Sequence, residues 1–146
     1  MTRIVCIGSR FRAEDAAGPR VYDRLLGEAL PPGVDLVDGG LAGLGLLRFV
    51  DGAERVVFVD QVSGFGRPGD VLALDPGDAA LAAPPSPDHG GGLPYLLRVL
   101  PGVCEKTVPR VSVVGVEGPA DERAIARAAA LAMELAAGAA ADRGAR

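Results

Sequence analysis

His89 is the only histidine in the chain. It stands in SPDHGGGLPYLL, Ser86 to Leu97, with Asp88 before it and Gly90, Gly91 and Gly92 after it. An imidazole nitrogen combined with hard carboxylate oxygens suits a divalent cation such as Zn, Ni, Co or Mn. Carboxylates are on offer where apolar runs end: Glu14 and Asp15 in GSRFRAEDAAG, Asp38 closing VDLVD, and Asp60 closing RVVFVD. Two acids and one imidazole leave coordination positions open for water or for groups on a partner. Each residue also has a plainer reading. A terminal Asp is often a turn former or helix cap, and Glu14-Asp15 would favour the dipole of a helix that follows. A lone loop histidine is often solvated, and a glycine run can be only a flexible link.

Other chemistries fit these residues less well. No G-x-S-x-G elbow is present, and neither Cys6 nor Cys104 has a histidine beside it in the sequence. Two cysteines give no disulfide framework and no zinc spacing; Cys6 reads as a buried strand residue and Cys104 as a loop or strand-edge thiol. The loop after IGSRF lacks both G-x-G-x-x-G and the P-loop Lys-Ser/Thr pair, and its two acids would repel phosphate.

The elements that must position these groups follow from periodicity. RIVCIG reads as a buried strand, and GPRVYDRLLGEAL as a helix with Val21, Leu25, Leu26 and Leu30 on one face and Pro19 in its first turn. VDLVD is a second strand, GGLAGLGLLRFV a glycine-rich turn into a short helix carrying Leu44, Leu47 and Val50, and RVVFVD a third strand ending at Asp60. QVSGFGRPGDVLAL has the form of a hairpin turning into strand DVLAL. A Pro- and Gly-rich loop is expected from Asp75 to Gly92, then a helix at LPYLLRVL, a strand at RVSVVGV, and a long Ala-rich helix that frays from about residue 141. Strands this apolar are buried on both faces by helices, so the expectation is one α/β domain of three layers over residues 1–146. Ligands of such a sheet bind beyond the carboxyl ends of the strands, where Asp15, Asp38 and Asp60 fall.

Bulk composition narrows the partners. A net charge of −4, with 15 Lys and Arg scattered along the chain, gives no basic face for nucleic acid. No Trp and 4% aromatics leave few stacking platforms. No uncharged apolar run is long enough for a membrane span, and the apolar run in MTRIVCIGSRF is too short for a signal peptide, so a cytoplasmic protein is expected.

Taken in order, IGSRFRAEDAAGPRV, VDGGLAGLGLL, VVFVDQV, SPDHGGGLPYLL and VVGVEGP resemble the hydrogenase maturation protease family, from about Arg3 to the final helix. Those endopeptidases remove a C-terminal extension from the large-subunit precursor of nickel–iron hydrogenases. The resemblance implies a three-layer α/β/α sandwich around a mostly parallel five-stranded sheet, with the strand near Asp70 to Leu74 antiparallel. It implies that Asp15, Asp60 and His89 are the catalytic and metal-contacting set. It implies nickel supplied by the substrate, not held tightly by the isolated protein, and as partner a nickel-loaded precursor of the hydrogenase large subunit. Gly39, Gly40 and Gly43 match the family's D-G-G-x-x-G segment headed by Asp38. The chain departs from the family pattern at Ile7, where the first loop has a glycine, at Ser9-Arg10, where an Asn is common, and in the order Glu14-Asp15. Two other readings stay open here: a non-catalytic metal-sensing or chaperone-like relative, and an ordinary metallopeptidase with a tightly bound metal.

Overall fold

The computed structural model describes residues 1–41, 43–81 and 92–144, with side chains through residue 138. Strands β1 (Thr2–Ile7), β2 (Val34–Gly40), β3 (Arg55–Val62), β4 (Val71–Leu74) and β5 (Arg110–Glu117) form one sheet in the order β2-β1-β3-β5-β4. The first four neighbours in that order run parallel, and β4 pairs antiparallel with β5. The Val- and Ile-rich strands alternate their side chains between two buried faces, which is why they read as continuous apolar runs.

Helices cover both faces. On one, Ile4, Cys6, Val57, Val59, Val114 and Val116 pack against α1 (Ala17–Leu26) and α5 (Glu122–Gly144). The inward side of α5 is almost all alanine (Ala124, Ala128, Ala129, Ala132, Ala136), so its backbone can lie close to the sheet. On the other, Val5, Ile7, Val56, Phe58 and Val113 meet Leu46, Val50 of α2 (Leu47–Val50), Ala79 of α3 (Pro76–Ala80), and Leu93, Leu96 and Leu100 of α4 (Gly92–Val103). The three-layer α/β architecture expected from the sequence is the one observed.

Several local readings are corrected. The segment after β3 is not a hairpin with it: β4 is separated from β3 by β5, with Val71 opposite Val116 and Leu74 opposite Val113. The turn residues that suggested a hairpin reverse the chain, but they carry it across the end of β5. Asp60 does not end its strand, since β3 continues through Gln61 and Val62. The first helix stops at Leu26, which is exposed, and Gly27 follows it. In the short helix region Leu46 and Val50 are buried while Leu44 faces out. Part of the expected loop from Asp75 is the helix α3, nucleated by the Asp75 carboxylate, which accepts from the amides of Gly77 (2.7 Å) and Asp78 (3.3 Å).

Two glycines press the first loop onto the end of β1. Gly8 has φ +139°, and a Cβ there would collide with the carbonyl oxygen of Asp15. A Cβ on Gly18, in α1, would collide with the carbonyl of Ile7. Only residues without a side chain allow this approach.

Phe58 is fully buried in the centre of β3. Replacing it by Ala should lower the unfolding free energy by about 3–5 kcal/mol, read as a lower urea midpoint with an unchanged slope. A midpoint within error of the parent would contradict this packing.

Candidate functional site

Asp15 closes a one-turn 3-10 helix, Ala13–Asp15, between β1 and α1. Its amide donates to the carbonyl of Arg12 (3.0 Å). The amide of Ser9 donates both to its carbonyl oxygen (2.9 Å) and to its Oδ2 (3.2 Å). The side chain is thus turned inward, 3% exposed, while neighbouring Glu14 faces solvent. Neither acid caps α1 through its side chain, so the capping reading does not apply to them.

The loop is then tied to β3 two residues further on. The Ala17 amide, in the first turn of α1, donates to Oε1 of Gln61 (3.1 Å), and Gln61 is itself buried. Gly118 leaves room for that side chain, since a Cβ there would strike the Gln61 amide group. One buried hydrogen bond therefore joins the residue after Asp60 to the helix that follows Asp15.

Alternation along β3 puts Asp60 on the face shared with Val56 and Phe58, near the carboxyl edge. It is 7% exposed, and its Oδ1 is buried with no hydrogen-bond partner among the described residues. Burial pushes its pKa well above the usual 3.8, and the negative charge of Asp15 pushes it further in the same direction. A hydrogen bond from the Gln61 backbone opposes them but does not win. A buried carboxylate with an unpaired oxygen and a second carboxylate close by is costly in the isolated protein. A cation placed between them would remove both penalties at once, and hard oxygen ligands suit a divalent metal.

His89 lies outside the described residues. Among the described residues no group of three His, Cys, Asp or Glu side chains is placed to hold a metal ion. The direction of α4 is defined by its other end: past Val103, the amides of Glu105 and Lys106 donate to the Asp51 carboxylate (2.9 and 2.8 Å), just before β3 begins. Its first residue, Gly92, is therefore directed toward the carboxyl edge of the sheet, and His89 precedes it by three positions in the sequence.

The remaining candidates have structural partners. Asp38 accepts from Arg10 (3.3 Å), which also donates to Asp23 (2.9 Å), so this exposed network pins the first loop to β2. Cys6 is fully buried on the opposite face, its thiol pushed up to about 12 by burial and then by Asp38 and Asp23. Cys104 is half-buried near Asp51, at the far edge of the sheet, and its pKa is also raised by burial and by that carboxylate. Both are free thiols, and neither is a thiolate nucleophile.

Sequence reasoning missed two buried polar residues at the same edge, Gln61 and Glu117. Glu117 ends the apolar strand RVSVVGVE just as an acid stands near the end of RVVFVDQV, and that parallel was the available signal. Gln61 gave no signal beyond a polar residue inside a strand pattern.

The family model described as hydrogenase maturation protease (HycI) matches residues 19–139, a span that includes Asp60 and His89 and begins after Asp15. The hydrogenase expression/formation protein HupD of Rhodobacter capsulatus is 35% identical over 72 residues, 49% of this chain and 34% of that protein. The matched segment thus spans about a third of that relative's length. Among solved structures, the hydrogenase maturating endopeptidase HybD from E. coli superposes with a TM-score of 0.73 at 26% identity, over 98% of this chain and 93% of that one. The [NiFe] hydrogenase maturation protease HycI from Thermococcus kodakarensis KOD1 gives 0.66 at 23% identity, over 92% and 89%, a likeness of fold.

The buried Asp60 predicts a specific pH dependence of stability. Its folded pKa lies above its unfolded one, so the folded state holds the proton longer and stability falls as pH rises from about 4 toward the folded value. Asp60→Asn should abolish that decline, leaving the variant close to the parent at pH 4 and more stable at pH 8 by about 1–2 kcal/mol. Urea titrations across this range would show it; a variant less stable than the parent at pH 8 would contradict the assignment.

Proposed function

The chain belongs to the hydrogenase maturation protease family, and from that premise we propose that it is the endopeptidase that removes the C-terminal extension of a nickel–iron hydrogenase large-subunit precursor once nickel is in place. The family processes the hydrogenase large subunit. The observation that carries the reading for this chain is Asp60: a buried carboxylate, orphaned at Oδ1 and repelled by Asp15, at the edge where substrates of such sheets bind. Such a group is pre-set to receive a cation it does not own.

In this reading Asp15, Asp60 and His89 contact nickel carried by the precursor, and the metal is a recognition element of the substrate. Precursor without nickel offers nothing to offset the repulsion between the carboxylates, so cleavage waits for metal insertion. Docking onto the metal also favours loss of the Asp60 proton, leaving a carboxylate able to take a proton from the attacking water. Water is the nucleophile, in keeping with the state of both thiols: Cys6 is protonated and buried, and Cys104 stands at the opposite edge. The chain is read as one domain, and among the described residues no helix is long and apolar enough to cross a membrane.

Asp15→Ala, Asp60→Ala and His89→Ala should each slow release of the C-terminal peptide from nickel-loaded precursor by about 100-fold or more, at unchanged folding. The parent protein should leave nickel-free precursor uncut. Full processing by all three variants, or equal cutting of loaded and empty precursor, would reject the reading. Complex formation without peptide release by the parent would point to a binding protein.

A further inference from the structure

The three carboxylates buried among the described residues, Asp15, Asp60 and Glu117, all lie at the carboxyl edge of the sheet, and only the first two belong to the site described above. Glu117 follows Gly115 by two positions on β5, and Gly115 is the residue opposite Asp60, so alternation puts Glu117 on the same face as Asp60. Its Oε1 accepts from the amides of Phe65 (2.8 Å) and Gly66 (2.9 Å). Its backbone continues the attachment: the Gly69 amide donates to its carbonyl (2.8 Å), and its own amide donates to the carbonyl of Asp70 (2.9 Å). Glu117 thus holds the loop between β3 and β4 through four hydrogen bonds, and Asp70 closes the loop's end by exchanging bonds with Arg67 (2.8 and 2.9 Å), while Ser63, Gly64, Gly66, Arg67 and Pro68 face solvent.

A buried carboxyl group needs hydrogen-bond partners, and among the described residues those of the Glu117 side chain are two amides of an exposed loop, not a countercharge. Those bonds fix the shape of a surface segment. The segment leaves β3 two residues after Asp60 and crosses the end of β5, on the side of Asp60 opposite the Ser9–Asp15 loop. Asp60 thus lies between two ordered loops, one of which carries Asp15.

We infer that Glu117 is a positioning residue: its carboxylate fixes the Ser63–Asp70 loop as one side of the rim along which the substrate polypeptide lies to reach Asp15 and Asp60. The inference rests on the function proposed above and names its substrate-binding element. Polypeptide is the fitting occupant, because the loop offers backbone and a half-buried Phe65 beside an exposed Arg67, and no phosphate cradle or further charged cluster.

The test uses the full chain with nickel-loaded precursor, and reads amide hydrogen exchange together with KM and kcat. Glu117→Ala should cost Phe65 and Gly66 at least about tenfold in exchange protection and raise KM about tenfold, with kcat changed far less. Glu117→Gln keeps an acceptor oxygen at the same place and should restore both. Loss of protection in Glu117→Ala with KM unchanged overturns the inference while leaving the proposed function intact, and so does undiminished protection. A parent protein that binds precursor without cutting it removes the protease reading, and the dissociation constant then takes the place of KM in the same comparison. A parent that neither binds nor cuts precursor overturns both.

Discussion

The structure turns on a buried carboxyl group, Asp60, that the fold desolvates and places beside a second acid, Asp15. Asp60 is carried into a desolvated position by an apolar strand, β3, whose other inward residues form the centre of the core. Asp15 is brought beside it by a loop that cannot move away. Gly8 and Gly18 press that loop onto the end of β1, Ser9 grips Asp15 at two oxygens, and Gln61 anchors the start of α1. Together these contacts keep Asp15 beside Asp60, whose pKa is raised by burial first and by the Asp15 charge second. The parts of a protein that break local rules in this way are where function concentrates.

In the proposed reading, that arrangement would let a small protein respond to a metal without owning one. A resident site would satisfy its ligands from within, by hydrogen bonds and a complete coordination shell. Here one buried carboxylate oxygen is left without a partner among the described residues, and in the proposed reading a cation carried by the partner would supply that interaction. On the same reading, binding energy would be released only when a cation approaches on a partner. The stability given up by the free protein would then serve to discriminate between loaded and empty partners.

Much of this architecture was legible in the sequence because it depends on simple periodicities. RVVFVD and RVSVVGV announce buried parallel strands, and the Ala-rich C-terminal segment announces a helix that packs closely. Acids at the ends of such strands fall at the ligand-binding edge, which made Asp15, Asp38 and Asp60 candidates alike, and the family resemblance singled out Asp15 and Asp60. What the sequence hid was pairing over long range. The turn residues near Gly64 and Pro68 looked the same whether the next strand paired with β3 or crossed to β5, since both need a reversal there. The support shell was hidden for a similar reason: Gln61 and Glu117 act on partners 44 and 52 residues away, Ala17 and Phe65, and no local pattern marks such bonds. The α3 turn was hidden by its composition, because Pro76 and Gly77 suggest a loop unless the capping carboxylate of Asp75 is taken into account.

The state of Asp60 is the point at which the account can be tested most directly. Its carboxyl carbon, followed by NMR across pH in the isolated protein, should titrate well above 3.8. Added Cd2+, a diamagnetic stand-in for nickel, should move that midpoint downward, because a cation at the paired carboxylates competes with the proton. A midpoint in the ordinary carboxylate range, or one that the cation leaves unmoved, would contradict the idea that Asp15 and Asp60 are held together in readiness for a metal.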